Sequence, residues 1–490
     1  MHMARRAYSK RLGWITWSSL GLGAQGTGQF LLLAILARYL TATEFGVVSA
    51  TMIVIGLGRT LQTCIGPALV QRDELRPEHV RSAFALCVLI AAAMVAVMWL
   101  AAPLAAQFFR VDEISDVMRA MSLLFVCQTP GLVPEALLQR EMRLRALAIA
   151  EVVGVAAGYV PIGIGCAWCG LGVWSLVAAH IGQALLKSTV LLIARPHEWA
   201  LLPTRRETGE LLYFSGGFAA AALANYAASQ GDNFVVGRWM SAAHLGIYGR
   251  AYQLMAMPAM FLGEVVDRVL FPLMSRFQSD KERLRRAYGR SVSLIASVMT
   301  PAAVAGIVLA PEIVRVVLGP GWGEVVPPFR ILISGLVFRT GYKISDVLAR
   351  ATGTVYARAW RQMIFAVLIL AGAFAGTAAG VTGVAIGIVT AIGINYLTMA
   401  GLSLRTTGSN WSEFAALHLR GLVSGTITGA VVLLLAQAIR GSVTDPLLVL
   451  LTVAVLMLVL LGAALAIAPR RVLGAEGTWL LAMLLGEARE

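Results

Sequence analysis

The sequence predicts an all-α, polytopic membrane protein of about fourteen transmembrane helices. Hydrophobic residues fill 58% of the 490 positions and charged residues only 13%, whereas a soluble domain carries roughly 25% charged residues. The mean hydropathy is +0.77. Apolar stretches recur along the whole chain, each near the roughly 20 residues that cross a hydrocarbon core of about 30 Å.

The N-terminus is basic (Arg5, Arg6, Lys10, Arg11) and leads into a first span near Gly13–Ala37. A second span follows closely, so the first reads as a retained helix and not a cleaved signal. Further spans are expected near Phe45–Pro67, Val80–Ala102, Ile114–Leu138, Ala146–Ala167, Gly172–Ala194, Leu211–Gly237 and Ala243–Phe271. Six more are expected near Val292–Leu318, Val326–Leu348, Trp360–Ala378, Gly383–Leu402, Leu419–Ile439 and Pro446–Ala468. Gly and Ala blur the boundary between the eleventh and twelfth. The loop Ser275–Ser291 reads as a basic amphipathic surface segment, and the tail Gly474–Glu490 as an interfacial helix.

The net charge of +14 sits in short loops, so it orients the chain in a membrane and does not mark a nucleic-acid partner. Arg72, Arg76 and Arg81, then Arg140, Arg143 and Arg145, fall on one side. The run from Arg276 to Arg290 falls there too, as do Arg350, Arg358, Arg361, Arg470 and Arg471. The opposite loops carry mostly single cations such as Arg38, Arg110 and Arg238. Lysine and arginine bias sets topology, which places both termini in the cytoplasm.

Arg38-Tyr39-Leu40-Thr41-Ala42 runs to Phe45-Gly46, and Arg238-Trp239-Met240-Ser241-Ala242 runs to Leu245-Gly246, two hundred residues later. Each stretch joins an outward helix to an inward one, six helices apart. That spacing predicts two parallel six-helix lobes related by an axis along the membrane normal, with a substrate site between them. The expected divisions are residues 1–207, residues 208–404, and residues 405–490 with two further helices.

Ionisable residues within spans cost several kcal/mol unless they face a partner or a wet cavity. Arg339, Lys343, Asp346 and Arg350 are spaced by 4, 3 and 4, one face of a helix. That stripe either lines a cavity or pairs internally. Arg59 and Arg250 are candidates for an anionic group, because guanidinium matches phosphate geometry. Arg59 could equally snorkel or pair with Glu135 or Glu151. Lys187 joins the candidates, with pairing inside the bundle as its plainer reading. Asp232 and Glu264 are candidates for coupling or gating. Asp232 could bind a cation or proton, or hold Arg238 at the outer helix end; Glu264 could pair with Arg268. His180 reads as a buried hydrogen-bonding residue.

Cys166 and Cys169 form a CxxC with no second pair or histidines at ligand spacing, so no metal site is expected. No phosphate loop, nucleophile elbow or zinc motif occurs. Neither an enzyme nor a cofactor is expected.

The stretch Gly231-Asp232-Asn233-Phe234-Val235-Val236-Gly237-Arg238 leads to Leu245-Gly246-Ile247-Tyr248. It continues through Ala251-Tyr252 and Pro258 to Val269-Leu270-Phe271-Pro272-Leu273-Met274-Ser275-Arg276. Together with the Arg38–Gly46 turn and Gly172-Val173-Trp174-Ser175-Leu176-Val177, it resembles the Wzx-type polysaccharide transporter family of the multidrug/oligosaccharidyl-lipid/polysaccharide exporter superfamily. The likeness covers most of the first 300 residues and weakens in the last two helices. It implies a bacterial inner-membrane flippase working by alternating access. Its cargo would be an undecaprenyl-diphosphate-linked oligosaccharide for exopolysaccharide, capsule or lipopolysaccharide, with membrane lipids and polymerase or export machinery as partners.

Three rivals stand beside it. A multidrug antiporter of the superfamily would carry a carboxylate deep in the first helix, where Gln25 and Gln29 stand instead. A peptidoglycan-precursor flippase is closer in chemistry. A membrane polysaccharide polymerase or ligase would present a large outer loop.

Overall fold

The computed structural model describes residues 23 and 25–467, apart from 73, 201–203 and 279. At 205–206, 213–214, 220–221, 261–262, 264–269, 355 and 461–467 it describes the backbone alone. Every regular element among them is helical. The basic N-terminus and the tail Gly474–Glu490 lie outside the described residues.

The helix α1 (Gln25–Leu36) is followed by α2 (Ala42–Gln71), α3 (Pro77–Phe109), α4 (Glu113–Arg140), α5 (Leu144–Trp168) and α6 (Val173–Ala194). Next come α7 (Arg205–Trp239), α8 (Ala242–Arg276) and α9 (Lys281–Val308). Short helices Ala310–Val317 and Val326–Ser334 lead into α10 (Leu336–Ala351), then α11 (Val355–Gly376), α12 (Gly380–Thr407), α13 (Trp411–Arg440) and α14 (Pro446–Ile467). Among the described residues nine helical stretches are long and apolar enough to cross a membrane. The chain is a multi-pass membrane protein.

The expected loop Ser275–Ser291 is mostly helix: α8 continues to Arg276 and α9 begins at Lys281. Asp280 accepts the Arg283 N–H at 3.0 Å, an N-cap that starts the helix inside the basic run. The tenth span is broken near Gly335 between Val326–Ser334 and Leu336–Ala351. In α5 a π-turn, Gly154–Tyr159, interrupts the α pattern.

Contacts divide the chain into two compact units, Met1–Gly249 and Arg250–Glu490. In the first, Ile65 and Leu69 of α2, Phe84 and Cys87 of α3, Val133 and Leu137 of α4 and Leu211 of α7 form a buried cluster. Lipid tails are as apolar as these side chains, so close backbone approach must hold the helices together. A Cβ on Gly158 would lie 2.7 Å from the Gly182 carbonyl oxygen, so α5 and α6 meet there backbone to backbone. The segment after α6 folds back on α3. His197 and Trp199 pack on Phe84 with ring centroids 5.0 and 5.1 Å away, and Arg81 pairs with Glu198.

The two echoing turns share one local design. Thr41 and Glu44 form a capping box at the start of α2, with the Thr41 N–H donating to Glu44 Oε2 at 2.7 Å. Ser241 accepts the His244 N–H at 3.3 Å at the start of α8. Both caps satisfy helix-terminal N–H groups that would otherwise go unpaired.

In the second unit, α11 and α12 pack through glycines. A Cβ on Gly372 would lie 2.7 Å from the Gly387 oxygen, and one on Gly376 would lie 2.4 Å from the Gly383 oxygen. The turn between them uses Gly380 at φ 71°, a left-handed angle that costs glycine little. These glycines blur the hydropathy boundary and also build the interface. Elsewhere, α9 and α13 meet where Gly421 approaches the Ala296 oxygen, 2.6 Å from a Cβ position. Arg440 closes the end of α13 on Glu312 with two hydrogen bonds of 2.8 and 2.9 Å, the forked geometry that favours arginine.

Candidate functional site

The first unit gathers polar groups inside α2, α4, α5, α6 and α7. Lys187 Nζ lies 2.9 Å from Glu151 and 3.3 Å from Glu135. One ammonium on α6 thus ties α4 to α5, and its charge is matched by two carboxylates. Arg59 lies in the field of both carboxylates and of Tyr226. It makes no hydrogen bond or ion pair through its side chain among the described residues. Its guanidinium is exposed by surface area yet closely surrounded by protein, as on a concave wall.

Tyr226 of α7 positions that wall. Its hydroxyl donates toward the Met52 and Ile53 carbonyls at 3.0 and 3.2 Å. Gly56, one turn before Arg59, makes room: a Cβ there would lie 1.9 Å from the Tyr226 oxygen. One helical turn further along α2, the fully buried Gln62 donates to the Phe125 carbonyl at 2.9 Å and to Thr129 at 2.8 Å, and accepts from Gln128. Those bonds fix the face that carries Arg59. His180 packs on the Tyr159 ring at 5.1 Å.

Asp232 is 3% exposed. Tyr248 donates to its Oδ2 at 2.6 Å, and the Asn233 N–H donates to Oδ1 at 2.9 Å. Arg238, one of the two partners the sequence offered for it, instead lies over the Phe108 ring at 4.9 Å. The C-terminal end of α7 is apolar and aromatic there, with Phe234 5.1 Å from Phe108, so the cation finds a ring face.

In the second unit, α10 shows the predicted stripe as one face. Arg339, Lys343, Asp346 and Arg350 are half-buried, while Thr340, Gly341, Ile344, Ser345, Val347, Leu348 and Ala349 are buried. Arg339 donates to the Tyr252 hydroxyl at 2.7 Å and lies over that ring at 4.9 Å. The Lys343 stem runs beside Gly263, where a Cβ would come 3.3 Å from Cδ and Cε. Lys343 makes no ion pair among the described residues. Asp346 is held by Arg350 at 3.2 Å and by Arg358 of α11 at 2.5 Å. The stripe therefore divides into an N-terminal half with a ring-stacked arginine and a lysine, and a C-terminal ion-pair lock. Arg250 is half-buried on α8. The Glu264 side chain lies outside the described residues.

Sequence reasoning missed Tyr252 and Gln128, and did not foresee that Arg358 holds Asp346. An ionisable group in an apolar span demands a partner, but spacing along one helix cannot say which other helix supplies it. The five cysteines are unbridged, and no metal-ligating group of three occurs among the described residues.

Residues 35–327 match the model of a family described as polysaccharide biosynthesis protein. The chain is a member of the Wzx-type polysaccharide transporter family. Its curated relatives include the lipopolysaccharide biosynthesis protein WzxC of Escherichia coli. That protein is 24% identical over 366 residues, covering 72% of this chain and 73% of WzxC. Another is the succinoglycan biosynthesis transport protein ExoT of Rhizobium meliloti, 27% identical over 334 residues, 67% of this chain and 66% of ExoT. Among solved structures, the lipid II flippase MurJ in an inward closed conformation superposes with a TM-score of 0.69 at 14% identity, covering 90% of this chain and 98% of MurJ. An inward-facing multidrug resistance MATE transporter gives 0.61 at 17% identity, covering 80% and 94%. These two likenesses establish the fold alone.

Proposed function

We propose that the protein flips a polyprenyl-diphosphate-linked oligosaccharide repeat unit from the inner to the outer leaflet of a bacterial inner membrane, by alternating access. The observation that carries this reading is Arg59, an accessible guanidinium inside a membrane helix bundle with no ion pair among the described residues. Such a group is costly in a bilayer, and its fork suits a diphosphate. The relatives' roles in lipopolysaccharide and succinoglycan biosynthesis support the glycan part of the reading.

In this scheme Arg59, Arg250, Arg339 and Lys343 meet the diphosphate in turn, while the polyprenyl chain stays in lipid. Lys187 and Asp346, already paired with carboxylates and arginines respectively, shape the walls. Asp232 and Glu264 are assigned to coupling or gating. Both termini face the cytoplasm, and the lobes are residues 1–207 and 208–404, with 405–490 as an addition. Polymerase or export machinery receives the product. An anionic head moving outward is helped by the membrane potential, about 2.3 kcal/mol per charge per 100 mV.

The test is a deletion strain complemented with wild type or Arg59→Gln. Lipid-linked oligosaccharide should accumulate on the inner leaflet of the deletion strain. Wild type should clear it, and Arg59→Gln should export about ten- to a hundredfold less, the worth of a charged hydrogen-bonded contact. Continued glycan export without the protein would overturn the flippase reading; full activity of Arg59→Gln would remove Arg59 from it.

A further inference from the structure

The second unit holds a cavity of about 400 Å³ between the start of α9 and the α12–α13 connection, away from the α10 stripe. Arg285, Arg286 and Arg290 lie along one side, and Leu404, Phe414 and Leu417 along the other. Glu413 also lines it and holds Arg285 at 2.5 Å. Three guanidinium groups against one carboxylate leave two positive charges in the lining.

Those two are available. Arg290 is exposed and makes no hydrogen bond or ion pair among the described residues. Arg286 reaches only Glu282, 3.7 Å away, in a pair whose side chains are 59% and 66% exposed. Such an exposed pair is weak and easily exchanged. Tyr288 takes no part, because it is fully buried with its hydroxyl 3.0 Å from Ser345. Trp411, 52% exposed, stands at the first residue of α13, and tryptophan marks the membrane–water interface.

A cationic rim over an apolar wall, at a helix junction beside an interfacial tryptophan, suits a phosphate carrying acyl chains. Basic pockets between transmembrane helices hold anionic lipid heads. The volume lies at the small end of ligand pockets, roughly 300–1,000 Å³, which fits a glycerophosphate head better than several sugars. We propose that this cavity binds the head group of an anionic phospholipid, with Arg286 and Arg290 on the phosphate and the acyl chains leaving over Leu417. The ligand would bridge α9 and α13 beside the Arg285–Glu413 tie. The proposal does not depend on what the protein transports.

The test uses the full chain in neutral detergent and measures binding of dioctanoyl phosphatidylglycerol, dioctanoyl phosphatidylcholine, inorganic phosphate and pyrophosphate. Phosphatidylglycerol should bind at least tenfold more tightly than phosphatidylcholine. Arg286→Gln with Arg290→Gln should lose about tenfold, and Arg290→Gln alone a measurable part of that. Arg119→Gln, a half-buried arginine of the first unit paired with Asp116, should bind as wild type. Equal binding of the two lipids, or unchanged binding by both variants, would overturn the proposal. Displacement of phosphatidylglycerol by phosphate or pyrophosphate at equal concentration would also overturn it, by marking a site for a free anion.

Discussion

Gly46 and Gly246 occupy equivalent places in the two echoing turns, and each lies against the other turn's helix start. A Cβ on Gly46 would sit 1.7 Å from the Ala242 oxygen, and one on Gly246 would sit 1.9 Å from the Ala42 oxygen. The pair is reciprocal, so the sequence echo corresponds to a contact. Neither backbone oxygen can swing aside as a flexible side-chain tip could. Gly46→Leu and Gly246→Leu should each destabilise the protein by about 1–3 kcal/mol, the usual cost of overpacking. Thermal unfolding in detergent measures this, and a wild-type midpoint would discard the contact.

Lys187 offers a second prediction. Lys187→Met leaves Glu135 and Glu151 facing each other without a cation. Loss of a partly buried network costs about 1–3 kcal/mol. The triple change Lys187→Met, Glu135→Gln and Glu151→Gln should recover much of it, because removing a whole network is cheaper than breaking it. If the triple variant is no more stable than Lys187→Met, the ion pairs are not what the lysine serves.

Asp346 and Arg339 share a helix face but should behave differently. Asp346→Asn loosens Arg350 and Arg358, so its effect should appear in thermal stability. Tyr252→Phe removes the hydroxyl from Arg339 but leaves the ring under the guanidinium. It should reduce glycan export less than Arg339→Gln, and the export assay of the deletion strain ranks the two.

His197 should make the protein acid-sensitive. Its burial against Phe84, and secondarily the charge of Arg195, lower its pKa from the ordinary 6.5. The folded form therefore keeps the ring neutral where the unfolded chain takes up a proton. Stability is unaffected above about 6.5 and declines as the pH falls toward the folded pKa. His197→Phe should flatten that decline. Unfolding midpoints between about pH 7.5 and 5 decide it, and parallel curves for the two proteins would exclude His197.

Much of the architecture is legible in the sequence because bilayer thickness imposes a length and an apolar composition on each helix. The α10 stripe is legible for a similar reason: spacings of four and three residues fix a face whatever surrounds it. What the face touches is not. Asp346 finds Arg358 on the following helix, and Arg339 finds a tyrosine 87 positions earlier. Arg238 shows the same limit, since a nearby aspartate in sequence proved less accessible to it than the Phe108 ring. The break at Gly335 and the π-turn in α5 leave no mark in the hydropathy pattern, which stays apolar through both.

The paired glycines of α11 and α12 bear on how the protein is made. The stretch from Tyr356 to Thr407 is 52 residues of nearly continuous hydrophobicity, interrupted only by a three-residue turn and Gly380. Its two halves fit each other so closely that they are suited to leave the insertion machinery together as one hairpin. A bulky residue at Gly376 or Gly383 would then act during biogenesis, lowering the amount of protein that reaches the membrane while sparing the turnover of each molecule that does.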